Sequence, residues 1–178
     1  MSPLPLPPLP LESRRPSVSL RAWEATPTDA DALVAAWSDP DIARWTAVPE
    51  ERSLDAASRW LAGEAARREM GVALDLAMTE AGAPGVVIGE IGLARVRTRP
   101  RMAEVGYWLL APWRGTGRAA VALVLFTDWV LRDLPIDRLF ARTHPDNPRS
   151  GAVAEQAGYL PAGALPDGTR VWARDAPG

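Results

Sequence analysis

The sequence predicts an α/β protein: one domain on a mixed, mostly antiparallel sheet of about seven strands, flanked by about four helices. Three observations point there. Several short runs alternate apolar and polar residues, as half-buried strands do, and three of them succeed one another as an antiparallel meander between residues 72 and 109. Between such runs lie segments whose apolar residues recur at helical spacing. One strand, Tyr107 to Leu110, passes through a glycine-bearing turn into a long apolar helix. A length of 178 residues suits a single domain with a substantial core.

In chain order, the first sixteen residues hold Pro3, Pro5, Pro7, Pro8, Pro10 and Pro16, which rules out a regular helix. They lack the basic start and unbroken apolar core of a signal peptide. Residues 1–16 are therefore expected to be a poorly ordered tail and 17–175 the folded domain. Val18 to Trp23 alternates as a strand. Thr26-Pro27-Thr28-Asp29 opens a helix with a cap, a proline in the first turn and an early acid, and Leu33, Val34 and Trp37 form its buried stripe. A second helix is expected from Ser53 to Glu69, with Leu54, Ala57, Trp60, Leu61 and Ala65 on one side and Gly71 as its stop. Val72 to Met78, Val86 to Val96 and Arg101 to Leu109 read as the meander. The helix from Gly115 to Leu131 is apolar on most faces and is expected to lie against the sheet, ending before Pro135. Arg138 to Thr143 is a further strand, Ser150 to Ala157 a short helix, and Tyr159-Leu160 with Gly168 to Ala173 a closing hairpin.

The chemistry is concentrated in Trp113-Arg114-Gly115-Thr116-Gly117-Arg118-Ala119. A helix N-terminus presents unpaired N–H groups and the positive end of its dipole, so a strand, a glycine turn and a helix start together cradle an anion. Arg114 and Arg118 could add guanidinium forks to phosphate oxygens. The expected ligand is a phosphate-bearing cofactor. All twenty basic residues are arginine, and without lysine a Walker-type phosphate loop and a pyridoxal-phosphate Schiff base are excluded. With no cysteine and a single histidine, His144, thiolate catalysis and the common zinc sites also drop out, so no metal is expected. Ala120 stands where the third glycine of a dinucleotide fingerprint belongs.

Arg114-x-x-Gly117-x-Ala119 resembles the Q/R-x-x-G-x-G/A pyrophosphate loop of the GNAT superfamily of N-acetyltransferases. Asn147-Pro148-Arg149-Ser150 followed by Glu155-Gln156-Ala157-Gly158-Tyr159 is similar to the family's second cofactor segment. Ser38-Asp39-Pro40-Asp41-Ile42-Ala43-Arg44-Trp45 and Ala103-Glu104-Val105-Gly106-Tyr107-Trp108 look like segments of the Rim-type branch, the ribosomal-protein N-terminal acetyltransferases and their small-molecule relatives. The resemblance spans Val18 to Arg174 and implies the element order β-α-α-β-β-β-α-β-α-β-β.

What it implies chemically is acetyl transfer from acetyl-CoA to a primary amine by direct attack in a ternary complex. Trp108, Leu109, Leu110, Arg114, Gly115, Thr116, Gly117, Arg118, Ala119, Asn147 and Ser150 would hold the cofactor, with a backbone N–H of the Tyr107 to Leu110 strand for the oxyanion. Glu104 is the first choice of base and Glu90 the second; either could instead be an ordinary ion-paired strand carboxylate. The tyrosine that many members place four residues beyond the second motif's serine is Ala154 here, so the usual acid for the departing thiolate is missing. Ser150 stands near the cofactor sulfur by resemblance, or caps the helix it begins. His144 reads as a polar loop residue. Trp37 and Trp45 could give the acceptor groove an aromatic wall, with Glu90 and Glu104 at its acidic side.

The acceptor is a small-molecule amine or a peptide N-terminus. A formal charge of −2 gives no support for a nucleic-acid or membrane partner, and a cytoplasmic monomer or homodimer is expected. A non-catalytic acyl-CoA sensor is the alternative from another class, and a nucleotide-binding domain a third.

Overall fold

A computed structural model describes residues 3–8 and 10–177. The chain runs β1 (Leu11–Arg14), β2 (Ser17–Ala22), α1 (Pro27–Ser38), α2 (Pro40–Trp45), α3 (Leu54–Glu69), β3 (Leu74–Glu80), β4 (Ala83–Thr98), β5 (Arg101–Leu109), α4 (Arg118–Asp133), β6 (Arg138–Thr143), α5 (Pro148–Gln156), β7 (Leu160–Ala164) and β8 (Arg170–Asp175), with a single 3₁₀ turn at Ala111–Trp113. Among the described residues the strands form one sheet in the order β1-β2-β3-β4-β5-β6-β8-β7.

The expected strands and helices are present within a few residues of their expected ends, and two elements were not anticipated. One is α2. Asp39 accepts hydrogen bonds from Asp41 N and Ile42 N, and Pro40 occupies the first turn, which starts a helix locally. The other is β1. It pairs antiparallel with β2 from Leu11↔Leu20 to Arg14↔Ser17, so the segment expected to be a loose tail extends the sheet. Leu4 is buried in the main core, and its N–H donates to the Arg68 carbonyl at 2.9 Å. The prolines forbid a helix there but leave extended backbone free to pack, which a composition argument does not register.

Alternation along the strands divides the interior in two. Leu76 and Met78 of β3 face the larger core with Leu123, Phe126 and Val130 of α4. Ala77 faces the smaller one, with Leu33 and Trp37 of α1 and Ala57 and Leu61 of α3. Arg21 of β2 clamps α1 onto the sheet by a two-pronged ion pair to the buried Asp29 at 2.6 and 2.8 Å.

Among the described residues six of the seven strand pairs are antiparallel; the β5–β6 pair is parallel and short. It covers only Met102 to Glu104 against Arg138 to Phe140, after which the two strands part. Leu110 N donates to Ile88 O. By the alternation of an antiparallel ladder, the peptide groups of Tyr107 and Leu109 therefore point away from β4 into the resulting gap.

Leu4→Ala is expected to lower the unfolding free energy by about 2 to 3 kcal/mol, the usual loss for an emptied leucine site in a core. Denaturant unfolding checks it, and an unchanged midpoint would return the N-terminal segment to the status of a tail.

Candidate active site

Where β5 and β6 part, a cavity of about 470 Å³ opens, lined by α2, the end of β5, the start of α4 and the segment from Asp146 to Val153. Of the expected cofactor residues, Trp108, Leu109, Arg114, Gly115, Ala119, Asn147 and Ser150 line it, whereas Leu110, Thr116, Gly117 and Arg118 do not. Gly115 and Gly117 have φ of 71° and 77°, the left-handed region, and Gly117 caps α4 without any side-chain bond to the helix's first N–H groups. Consecutive turns of this kind aim backbone donors outward, and a Cβ on Gly115 would meet nothing.

The two arginines expected to grip phosphate are otherwise engaged. Arg114 donates from Nη2 to Asp39 at 2.7 Å, from Nη1 to Asp41 at 3.0 Å and from Nε to the Leu109 carbonyl at 2.9 Å. It ties α2 to the end of β5. Arg118 donates to the Ser17 carbonyl and to Glu80, with its guanidinium over the Trp113 ring. Among the described residues, the cations that line the cavity without an ion pair are Arg44, stacked on Trp45, and Arg149.

Ser150 does not cap α5. Asn147 does, its Oδ1 accepting from Ser150 N at 3.2 Å, which leaves the Ser150 hydroxyl to the cavity. Tyr107 reaches it from β5: its hydroxyl donates to the Ser150 carbonyl at 3.0 Å and lies 3.1 Å from Ser150 Oγ. A phenol thus reaches the start of α5 from β5, while position 154 within α5 carries none. No spacing along the chain relates 107 to 150, so the sequence does not declare this contact. Burial pushes its pKa up to about 12, so the phenol stays protonated. His144 accepts from Asp146 N through Nδ1, which assigns the proton to Nε2, and its ring lies 5.2 Å from that of Trp45.

A second cavity of about 310 Å³ lies beside the first, sharing Thr46 and Trp108 with it. Trp37, Trp60, Trp108, Val48 and Pro49 wall it, and Glu90 stands in it. Glu90 Oε1 accepts from Trp108 Nε1 at 3.0 Å, while Oε2 is buried without a partner. Burial and the nearby Asp75 carboxylate push the Glu90 pKa up to about 8.

The four expected acceptor residues are therefore divided: Trp37 and Glu90 line the smaller cavity, Trp45 the larger, and Glu104 neither. Glu104 accepts from Arg95 and from Arg142, each at 2.9 Å. A bulge in β4 between Ala94 and Arg97, with Arg95 at φ 51°, turns that guanidinium onto it. Its geometry is that of a strand ion pair, whereas Glu90 keeps one carboxylate oxygen without a partner.

The acetyltransferase (GNAT) domain family matches residues 18–160. The chain belongs to this family. It is 31% identical over 87 residues to YdaF of Bacillus subtilis (strain 168), covering 49% of this chain and 48% of that protein. It is 30% identical over 79 residues to the ribosomal-protein-serine acetyltransferase of Escherichia coli (strain K12), covering 44% of each. The GNAT chain thus spans about half the length of the curated relatives it matches. Mycobacterium smegmatis RimJ, solved with a coenzyme A disulfide, superposes with a TM-score of 0.77 at 22% identity over 89% of this chain and 82% of that one, which shows a shared fold. No helix among the described residues is long and apolar enough to cross a membrane.

A carboxyl whose folded pKa lies near 8 against an ordinary 4.5 contributes stability below the lower value and loses it as pH rises through the upper one. Glu90→Gln is therefore expected to flatten the fall in melting temperature between about pH 5 and about pH 9 and to melt above wild type at the alkaline end. Thermal scans across pH check it.

Proposed function

We propose that this GNAT protein is an acetyl-CoA-dependent N-acetyltransferase that acylates a primary amine by direct attack in a ternary complex. The observation that carries the reading is the meeting of the two cavities at Trp108: one has a helix N-terminus and free strand donors, the other a carboxyl group with one oxygen unpartnered within an aromatic wall. A phosphate-bearing ligand and an amine have complementary chemistry on the two sides of one residue.

The donor set fits coenzyme A. The first N–H groups of α4, opened by Gly115 and Gly117, suit the pyrophosphate, with Arg44 and Arg149 as the cations that line the cavity. The gap beyond Glu104 suits the extended pantetheine arm, which would pair with the Tyr107 and Leu109 peptide groups as a strand does. Acetyl-CoA supplies the acetyl thioester. The Leu109 N–H is the nearest counterpart of an oxyanion donor, since the Leu109 carbonyl is taken by Arg114. The Ser150 hydroxyl, 3.1 Å from that of Tyr107, would give a departing sulfur a hydrogen-bond donor. With a pKa near 12, Tyr107 keeps its proton and would hold Ser150 in place rather than protonate the thiolate outright.

Glu90 serves the amine. A buried carboxylate with one free oxygen attracts an ammonium and, with a pKa near 8, is matched to accept its proton near neutrality. Trp37, Trp60 and Trp108 favour an amine on an apolar body, which a small monoamine or the first residue of a peptide both provide. The relatives' names favour the peptide reading, as the Escherichia coli protein is a ribosomal-protein-serine acetyltransferase. An acyl-CoA sensor would bind without turnover.

Calorimetric titration with acetyl-CoA, coenzyme A and ATP in parallel, followed by thiol release with an amine and peptide panel, tests this reading; absence of coenzyme A binding sinks it. Glu90→Gln is expected to lower kcat on the order of a hundredfold with acetyl-CoA affinity within about twofold of wild type. Gly117→Asp, which forces a side chain into the left-handed position that starts α4 and adds a negative charge at that helix N-terminus, is expected to weaken coenzyme A binding by about tenfold or more.

A further inference from the structure

Behind Glu90, the same face of the sheet carries a chain of buried ionisable groups that the acetyl-transfer reading leaves unused. Asp75 of β3 is opposite Gly92 and Glu90 is opposite Ala77, so the two acids are diagonal neighbours on adjacent strands and share a face. The Asp75 carboxylate does not stand upright on its own strand. It leans across β4 into the space a side chain at 92 would take: a Cβ on Gly92 would lie 2.2 Å from Asp75 Oδ1. Glycine at 92 is thus the condition for bringing this carboxylate beside Glu90.

Beyond Asp75 the chain continues onto α3. Arg67 Nη2 lies 3.9 Å from Asp75 Oδ2, and Arg68 Nε lies 3.8 Å from Glu64 Oε2. Arg67 is held by its stacking on Trp60 and a bond to the Trp60 carbonyl. Five side-chain atoms of this region are buried without a protein partner: Trp23 Nε1, Glu64 Oε1, Arg67 Nη2, Arg68 Nε and Glu90 Oε2. Partnerless polar atoms are rare in protein interiors, and water reaching along this line of polar groups would supply the partners that the side chains do not. The Asp75 and Arg67 side chains are 19% and 26% exposed, so the line ends at solvent.

We infer that Asp75 is a proton relay, taking the amine's proton from Glu90 through a bridging water and releasing it to bulk solvent beside Arg67. This rests on the N-acetyltransferase reading. An ammonium and a thioester give an amide, a thiol and one proton: the N–C bond forms, the C–S bond breaks, the thiolate retains one proton and the other must leave. Glu90 faces a cavity walled by three tryptophans, and Asp75 connects it to water. Asp75 acts through Glu90 and is a positioning residue. The groups facing the pair are Glu64 and Arg67 of α3, with Arg68 paired to Glu64 and the Trp108 indole donating to Glu90; the Asp75 charge disfavours ionisation of Glu90 and that of Arg67 favours it.

The test is the isosteric Asp75→Asn in dilute buffer, with thiol release followed against pH and against added imidazole as a mobile proton carrier. Expected are a kcat about tenfold below wild type that recovers as imidazole rises, and an acid limb of the rate profile moved to lower pH. The alkaline fall in melting temperature, read without cofactor, is expected to move the same way. Arg67→Met is expected to move both in the opposite direction, which general damage to the fold would not do. Combined with Glu90→Gln, Asp75→Asn is expected to add no further loss. Wild-type kcat and an unmoved acid limb in Asp75→Asn would overturn the relay while leaving the acetyltransferase reading intact. A wild-type protein that releases no thiol with any amine or peptide overturns that reading, and the relay with it.

Discussion

The candidate site depends on one departure from regular structure: β5 and β6 run parallel for three paired residues and then separate. A continuous ladder would have consumed the Tyr107 and Leu109 peptide groups and closed the sheet. Divergence leaves backbone donors facing a gap, and the flanking elements are placed by it. The turn after β5 has room to deliver α4 N-terminus first, and α5 approaches closely enough for Tyr107 to reach Ser150 across the opening. Unpaired strand backbone is ordinarily a liability; here it is covered on both sides by helices and is available to an extended ligand.

The electrostatics are those of a chain whose cations are all guanidinium groups. Arg114, Arg118 and Arg21 each satisfy several acceptors at once, which fixed forks do well, and Arg95 and Arg142 each take one oxygen of Glu104. The consequence is that charge near the site is mostly structural. The anion cradle is made chiefly of backbone, and the carboxylate left with free valence is Glu90, whose neighbours are indoles and another acid. That contrast separates Glu90 from Glu104 more sharply than their similar sequence settings do.

Much of this was legible along the chain. The cap-and-proline start of α1, the glycine-marked entry to α4 and the bounds of β5 and β6 follow from local rules, and the structure keeps them. Asp39-Pro40 obeys the same rule as Thr26-Pro27, yet its helix is six residues long, too short for apolar periodicity to declare it. The first residues read as a tail because prolines exclude helix without excluding an edge strand, and because Leu4 is held by hydrogen bonds to Arg68 of α3, more than sixty positions away.

By itself the sequence determined the repertoire: the alternations that make strands, the left-handed glycines before α4, and a set of side chains lacking thiol and lysine, which limits the chemistry to carboxylates, hydroxyls, one imidazole and backbone. Local backbone preference and composition are properties of short stretches, so they can be read there. Only the tertiary structure decided which carboxylate is free and which is paired, that Tyr107 meets Ser150, that two cavities meet at Trp108, and that Asp75 lies over Gly92 beside Glu90. Each of these is a relation between residues nine to forty-three positions apart or between cavities built from several elements. It is set by strand register and helix packing, which no local pattern encodes.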